Sequence, residues 1–433
     1  MTELSMRRVK KTGQFIVKTH KVQELHPICF ELSNGMRVVY LYTPTYVAHI
    51  GLTFLAGSRY EDENEVGLAH FLEHCLFKGT TKRKPFHILS RLDTVGGELN
   101  AFTSKEELCI HASFTNEHTE RTIELLADIT MNSNFPNKEI EKEKEIVLDE
   151  INSYLDSPSD KIFDDFEAQL FKNHPLGNNI LGTKESVQSF TSDDLQRYVD
   201  RLLTAQNGVI SFVGPIPQKK LQSLLEKHFG TFRIGEKQQV KNPFSDFEPF
   251  KIWTQEANYQ VHAVLGSIAP NYSDEERKGM NLLTNILGGP ALNSRLTLSV
   301  REKYGYSYNV EANYNPYVET GFWSIYLGTD QKYLSKSIDL VKKELKKIRE
   351  VKLTTLQLHQ AKQQLKGHLA LSLDSNSGLM IGLGKSLLLF NQIDTIQEIQ
   401  EGIDKITAEE ILDIANKYLM PDNFSEMVFE MKV

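Results

Sequence analysis

The sequence of 433 residues predicts an α+β protein built from two related, duplicated domains, each a largely antiparallel β-sheet with helices packed on one face. Three observations carry that expectation. Two pairs of segments recur in the same order at nearly the same offset, β-rich runs alternate with long amphipathic helices, and a polar, proline-containing stretch divides the chain. In the first pair, Glu61 to Gly67 leads into an apolar helix, and Ser273 to Gly279 does the same 212 residues later (67 to 279). Each follows a strand-like run, Gly51 to Leu55 and Val261 to Ile268. In the second pair, Thr191 to Leu195 opens a helix that leads to the apolar strand Val209 to Val213. Thr407 to Ile411 repeats this 216 residues on (191 to 407), ahead of Ser425 to Phe429. Both threonines have an acidic residue three positions later, the capping-box pattern in which hydroxyl and carboxylate satisfy backbone N–H groups at a helix start. One such match is commonplace, whereas two at nearly one offset point to a duplicated unit.

Taken in order, residues 1–20 form a basic arm (Arg7, Arg8, Lys10, Lys11) with no apolar run behind it, so no secretory signal is expected. The first domain, 21–232, contains the β-rich runs Met36 to Tyr42 and Leu108 to Phe114. Its amphipathic helices are expected at Glu117 to Met131 and Glu139 to Leu155. Residues 233–250, with Gly235, Pro243 and Pro249, read as a linker. The second domain, 251–433, includes a helix over Ile338 to Val351. No stretch approaches the roughly 18 apolar residues of a membrane span. With 40% apolar and 24% charged residues the chain is of ordinary globular composition, so disordered and collagenous classes drop out. Its net charge of −8 argues against nucleic-acid binding through bulk charge. Three cysteines, Cys29, Cys75 and Cys109, are too few and too odd in number for a disulfide framework. A reducing, cytoplasmic location is therefore expected.

The chemistry concentrates in Gly67 to Phe77. His70 and His74 are four apart, so on a helix they share one face with Glu73 on its flank, while Leu68, Leu72, Cys75 and Leu76 fall on the opposite side. Two imidazoles can supply nitrogen ligands to a transition metal, and a carboxylate beside them can take a proton from water. The order His-x-x-Glu-His is the inverse of the common zinc-protease motif. The helical run Glu139 to Leu155 offers Glu143 and Glu150, seven apart on one face, next to an apolar stripe of Ile140, Val147, Ile151 and Tyr154. A His₂Glu set leaves the fourth position open, as catalytic zinc sites do.

With these motifs the chain resembles the insulinase/pitrilysin family of inverzincin metallopeptidases, in the short two-domain form typified by the mitochondrial processing peptidase and its bacterial relatives. The resemblance runs through Leu32 to Arg37, His70 to His74 with Phe77 to Thr80, Gly96 to Ser104, Ile146 to Glu150, His174 to Gly177 and Leu181 to Thr183. In the second half it covers Ser294 to Leu296 and Val300 to Tyr308. It implies that His70, His74 and Glu150 bind one Zn²⁺ per chain, that Glu73 is the general base, and that Glu143 orients a ligand histidine. It further implies that Asn100, Ala101 and Phe102 form a sheet-edge strand that pairs with substrate, and that Arg301 and Tyr308 hold the substrate near the scissile bond. Aligning the repeats sets Leu282, Asn285 and Ile286 opposite His70, Glu73 and His74, so the second domain is expected to be a metal-free substrate clamp.

The expected function is a zinc endopeptidase that hydrolyses unfolded or short peptides in an enclosed clamshell chamber, Glu73 taking the proton from the attacking water. The alternative is a non-catalytic assembly or substrate-binding subunit of the same family. Expected partners are extended peptides and a second copy of the chain in a homodimer, with a heterodimer as the alternative. Neither nucleic acid nor a membrane span is expected.

Overall fold

The computed structural model describes residues 4–8, 15–19, 26–239 and 243–432. In the arm, β1 (Leu4–Arg8) and β2 (Phe15–Thr19) pair antiparallel. The N half contributes β3 (Ile28–Glu31), β4 (Arg37–Tyr42), β5 (Val47–Phe54), β6 (Glu98–Thr103), β7 (Leu108–Thr115) and β8 (Gly208–Gly214). They form a six-stranded sheet in the order β3-β4-β8-β5-β7-β6, in which only β4 and β8 run parallel. The C half contributes β9 (Lys251–Glu256), β10 (Val261–Ala269), β11 (Ser307–Pro316), β12 (Gly321–Thr329) and β13 (Ser425–Met431). Their order is β11-β12-β10-β13-β9, and again one pair, β13 with β9, is parallel. From β4 to β6 and from β9 to β11, the two sheets share chain order and the sense of every pairing, which is the topology a duplication demands.

The amphipathic segments fold as helices Thr119–Asn132, Asn137–Leu155 and Leu334–Glu350. Both expected capping boxes form. Thr191 accepts from the Asp194 N–H while its own N–H donates to the Asp194 carboxylate, and Thr407 and Glu410 do likewise. In each half, inward residues of the sheet such as Ile50, Leu52 and Phe54, or Ala263 and Leu265, form the main core with helices of that same half.

The opposite face of each sheet is covered from the other half. Helix Asn376–Phe390, late in the chain, lays Leu379, Met380, Leu383 and Leu387 on Val39, Leu41, Val209 and Val213 of the N-half sheet. Its approach is close: a Cβ on Gly384 would lie 2.9 Å from the Ser211 hydroxyl, and one on Gly51 would lie 2.5 Å from the Met380 sulfur. Conversely, helix Pro158–Leu170 lays Ile162, Phe166 and Leu170 on Val264, Phe322, Tyr326 and Met427 of the C-half sheet. Buried Arg59 of the N half adds an ionic link, pairing with Glu106 and with Glu319 of the C half. Between the halves, the described residues of 233–250 carry neither helix nor strand. The segment is anchored instead, the Arg233 and Ile234 carbonyls accepting from Ala205 and Gln206, and Phe244, Phe247 and Phe250 packing beside Phe166 and Phe171. No helix among the described residues is long and apolar enough to cross a membrane.

Candidate metal centre

The motif helix, Leu68–Cys75, begins after Gly67, whose φ of 94° lies in the left-handed region. Glycine is required there twice over, because a Cβ at Gly67 would also sit 2.6 Å from the Gly182 Cα. The buried Glu61 carboxyl accepts the N–H groups of Gly67 and Ala69 at 3.0 and 2.8 Å, satisfying donors that the helix start leaves without partners. Burial pushes Glu61 up to about 8. Leu68, Phe71, Leu72 and Cys75 enter the N-half core. That anchoring turns His70 and His74 toward helix Asn137–Leu155, which is seated by Ile140, Val147 and Ile151.

On that shared face the two imidazoles meet Glu150. The His70 and His74 Nε2 atoms lie 3.8 and 3.5 Å from the same Glu150 oxygen, and the two rings stand edge to face with centroids 4.7 Å apart. One donor atom from each of the three residues lies within 4.8 Å of the others, and among the described residues no other group of three or more potential ligands is so arranged. Donors at about 2.0–2.2 Å around a tetrahedral zinc are roughly 3.4 Å apart, so the spacing fits the ion. Glu143, buried, faces the far side of His74, its carboxylate 3.3 Å from Nδ1 and 2.6 Å from the Lys78 ammonium. Glu73 accepts a hydrogen bond from the Thr103 hydroxyl at 2.6 Å.

The electrostatics follow from these contacts. Burial, with His74 adding to it, pushes His70 down to about 4, which keeps it as the neutral imidazole that can ligate. The hydrogen bond to Glu143 raises His74 against the effect of its partial burial. Burial alone would raise Glu143, yet the bonds from His74 and Lys78 outweigh it and hold Glu143 below the ordinary carboxylate value. Glu73 is raised, chiefly by burial, and the Thr103 bond pulls the other way.

Asn100, Ala101 and Phe102 lie on β6, at the open edge of the sheet. Asn100 is exposed and its side-chain oxygen accepts the Ala101 N–H at 2.9 Å, Ala101 is buried, and the Phe102 ring lies 6.1 Å from that of His111. Arg301 and Tyr308 are exposed in the C half, Tyr308 at 76%, with Arg301 Nε 3.6 Å from Glu302. No hydrogen bond or ion pair among the described residues joins either one to the His70, His74 and Glu150 cluster. In the repeat, Leu282 and Asn285 are buried in helix Arg277–Gly288 and Ile286 packs against the C-half core, with no ligand cluster among the described residues.

Sequence reasoning missed three contributors: Thr103, Lys78 and Glu61. Strand alternation sets Thr103 on the same face as Ala101, toward the motif helix, and Lys78 follows His74 by four residues, just past the end of that helix. Those were signals of proximity, although neither reveals a partner.

Three comparisons with known proteins bear on this site. Residues 37–184 match the domain described as Insulinase (Peptidase family M16), and residues 189–365 match the Peptidase M16 inactive domain. An uncharacterized zinc protease of Bacillus subtilis, YmxG, is 33% identical over 395 residues, covering 91% of this chain and 96% of that protein. The bovine (Bos taurus) mitochondrial-processing peptidase subunit beta is 28% identical over 421 residues, covering 95% and 85%. Among solved structures, a peptidase M16 inactive domain from Pseudomonas fluorescens superposes with a TM-score of 0.89 at 19% identity, covering 94% of this chain and 98% of that one. A protease from Helicobacter pylori superposes at 0.86 and 20% identity, with 94% and 100% covered. These two likenesses establish the shared fold.

Proposed function

As the chain belongs to the insulinase family of peptidases, M16, we propose that it is a zinc-dependent endopeptidase that hydrolyses short or unfolded peptides, with His70, His74 and Glu150 holding the metal. The observation that carries the reading is the convergence of those three donors, with the Glu73 carboxylate on the same helix as the two histidines. Zinc, when bound, supplies Lewis acidity toward a peptide carbonyl and toward water. Glu73 takes the proton of the attacking water and afterwards returns it to the leaving amine. Thr103 fixes the Glu73 carboxylate, and Glu143, itself held by Lys78, fixes the tautomer and orientation of His74 through Nδ1.

An extended peptide adds to the β6 edge at Asn100, Ala101 and Phe102, main-chain pairing giving affinity with little side-chain selectivity. Arg301 and Tyr308 act from across a cleft as donors to the scissile carbonyl. The cleft belongs to an enclosed chamber completed by a second copy of the chain, or by a related chain in a heterodimer, in the cytoplasm.

Metal analysis of the purified protein, together with mass spectrometry of a peptide library incubated with and without chelator, tests this reading. Glu73→Gln should keep zinc and lose roughly 10²-fold or more in kcat. Glu150→Gln should lose zinc, while Glu141→Gln should not, because Glu141 is exposed on the same helix and paired with Lys144. Hydrolysis that survives in Glu73→Gln, or equal metal content in the two other variants, would overturn the assignment. Zinc binding with no hydrolysis of any library peptide would favour a non-catalytic subunit.

A further inference from the structure

Far along the chain from the metal ligands, a cavity of about 770 Å³ opens in the C half. Its walls are helix Arg277–Gly288, helix Thr355–Ser372, the end of helix Asn376–Phe390, and helix Ile396–Lys405. The volume is within the range of small-molecule sites. The lining is divided by chemistry. Leu365, Leu369, Leu389, Phe390, Ile399 and Ile403 make an apolar floor, and Arg277 and Lys278 stand at one side. The Arg277 guanidinium lies 4.6 Å over the Phe390 ring, and among the described residues neither cation has a carboxylate partner. Their neighbour Glu276 is already engaged by Lys417 and Tyr418, and Asp394, on the cavity wall, accepts from Gln392.

The two cations also occupy the first turn of their helix, where the backbone dipole disfavours positive charge. Two cations that no carboxylate bridges among the described residues, facing a ligand-sized cavity with an apolar floor and one carboxylate, Asp394, on its wall, match an anion with an apolar body. We infer that this cavity is a binding site for a small amphipathic carboxylate, its head between Arg277 and Lys278 and its acyl chain along Leu365, Leu369 and Ile403. Because one wall is the end of the helix that covers the N-half sheet, occupancy stabilises the packing of both halves.

The test is titration of the full chain with decanoate, below its aggregation concentration, followed by calorimetry and by thermal midpoint, with decanol and butanoate as separate arms. Saturable decanoate binding with a rising midpoint is expected, at least tenfold tighter than either control. The variant Arg277→Ala/Lys278→Ala should weaken decanoate at least tenfold with an unchanged far-UV spectrum. Leu369→Trp, which fills the floor, should weaken it as much while keeping both cations, so a folding defect in one variant leaves the other decisive. No saturable binding, decanol binding as tightly as decanoate, or wild-type affinity in the folded variants would overturn the proposal. None of these readouts depends on zinc or on peptidase activity.

Discussion

Replacing Met380 by alanine tests whether the two halves unfold as one. Met380 comes from the C-terminal third of the chain, yet its side chain is fully buried on the N-half sheet, in the cluster with Val39, Val209 and Val213. Truncating a buried methionine to alanine costs about 2–5 kcal/mol. At about 2.1 cal/mol/K per residue the unfolding entropy of 433 residues is about 0.9 kcal/mol/K, so the midpoint should fall by about 2–5 °C. The chain has two tryptophans, Trp253 on β9 and Trp323 on β12, both in the C-half sheet. Tryptophan fluorescence therefore follows the C half, while far-UV circular dichroism follows the helices of both. If the exchanged helices couple the halves, a substitution in the helix that covers the N-half sheet should shift both signals equally and leave them coincident. A split dichroism curve, with the tryptophan midpoint at its wild-type value, would show the N half melting alone and refute the coupling.

Three further outcomes are expected. Thr103→Val removes a hydrogen bond to a carboxylate worth about 1.5–3 kcal/mol, so kcat should fall roughly 10- to 100-fold at unchanged zinc content, and a wild-type kcat would remove Thr103 from the site. Lys78→Met leaves buried Glu143 without its cation and loosens His74, so competition with a chelator should show zinc held about 10- to 100-fold more weakly. Cys75 and Cys109 are buried, which pushes both thiols up, whereas Cys29 is exposed. A thiol reagent should thus label one cysteine in the folded chain and three after denaturation.

The duplication was legible because capping boxes and strand runs are local features, and their common offset needs no knowledge of packing. The cluster of candidate metal ligands was legible for a related reason. His70 and His74 are fixed on one face by helical period alone, and Glu143 and Glu150 share a face of a second helix by the same arithmetic. Which of these two glutamates is the ligand was carried by the family resemblance alone; in the structure Glu150 faces both Nε2 atoms while Glu143 lies behind His74.

Segments Pro158–Leu170 and Asn376–Phe390 gave no comparable signal. An apolar helix face has the same pattern whichever sheet it covers, so the exchange between halves depends on contacts between residues more than 90 positions apart (170 to 264 at the least). The bonds from Thr103 to Glu73 and from Lys78 to Glu143 are of the same kind, since a polar side chain's sequence position does not name its partner. The sequence by itself determined the two-fold repetition, the motif helix and the residue types able to hold a metal, all of which follow from short-range periodicity. Only the tertiary structure decided how the halves interlock, what holds the Glu73 carboxylate and where a cavity opens in the C half, because each depends on surfaces that meet only once the chain has folded.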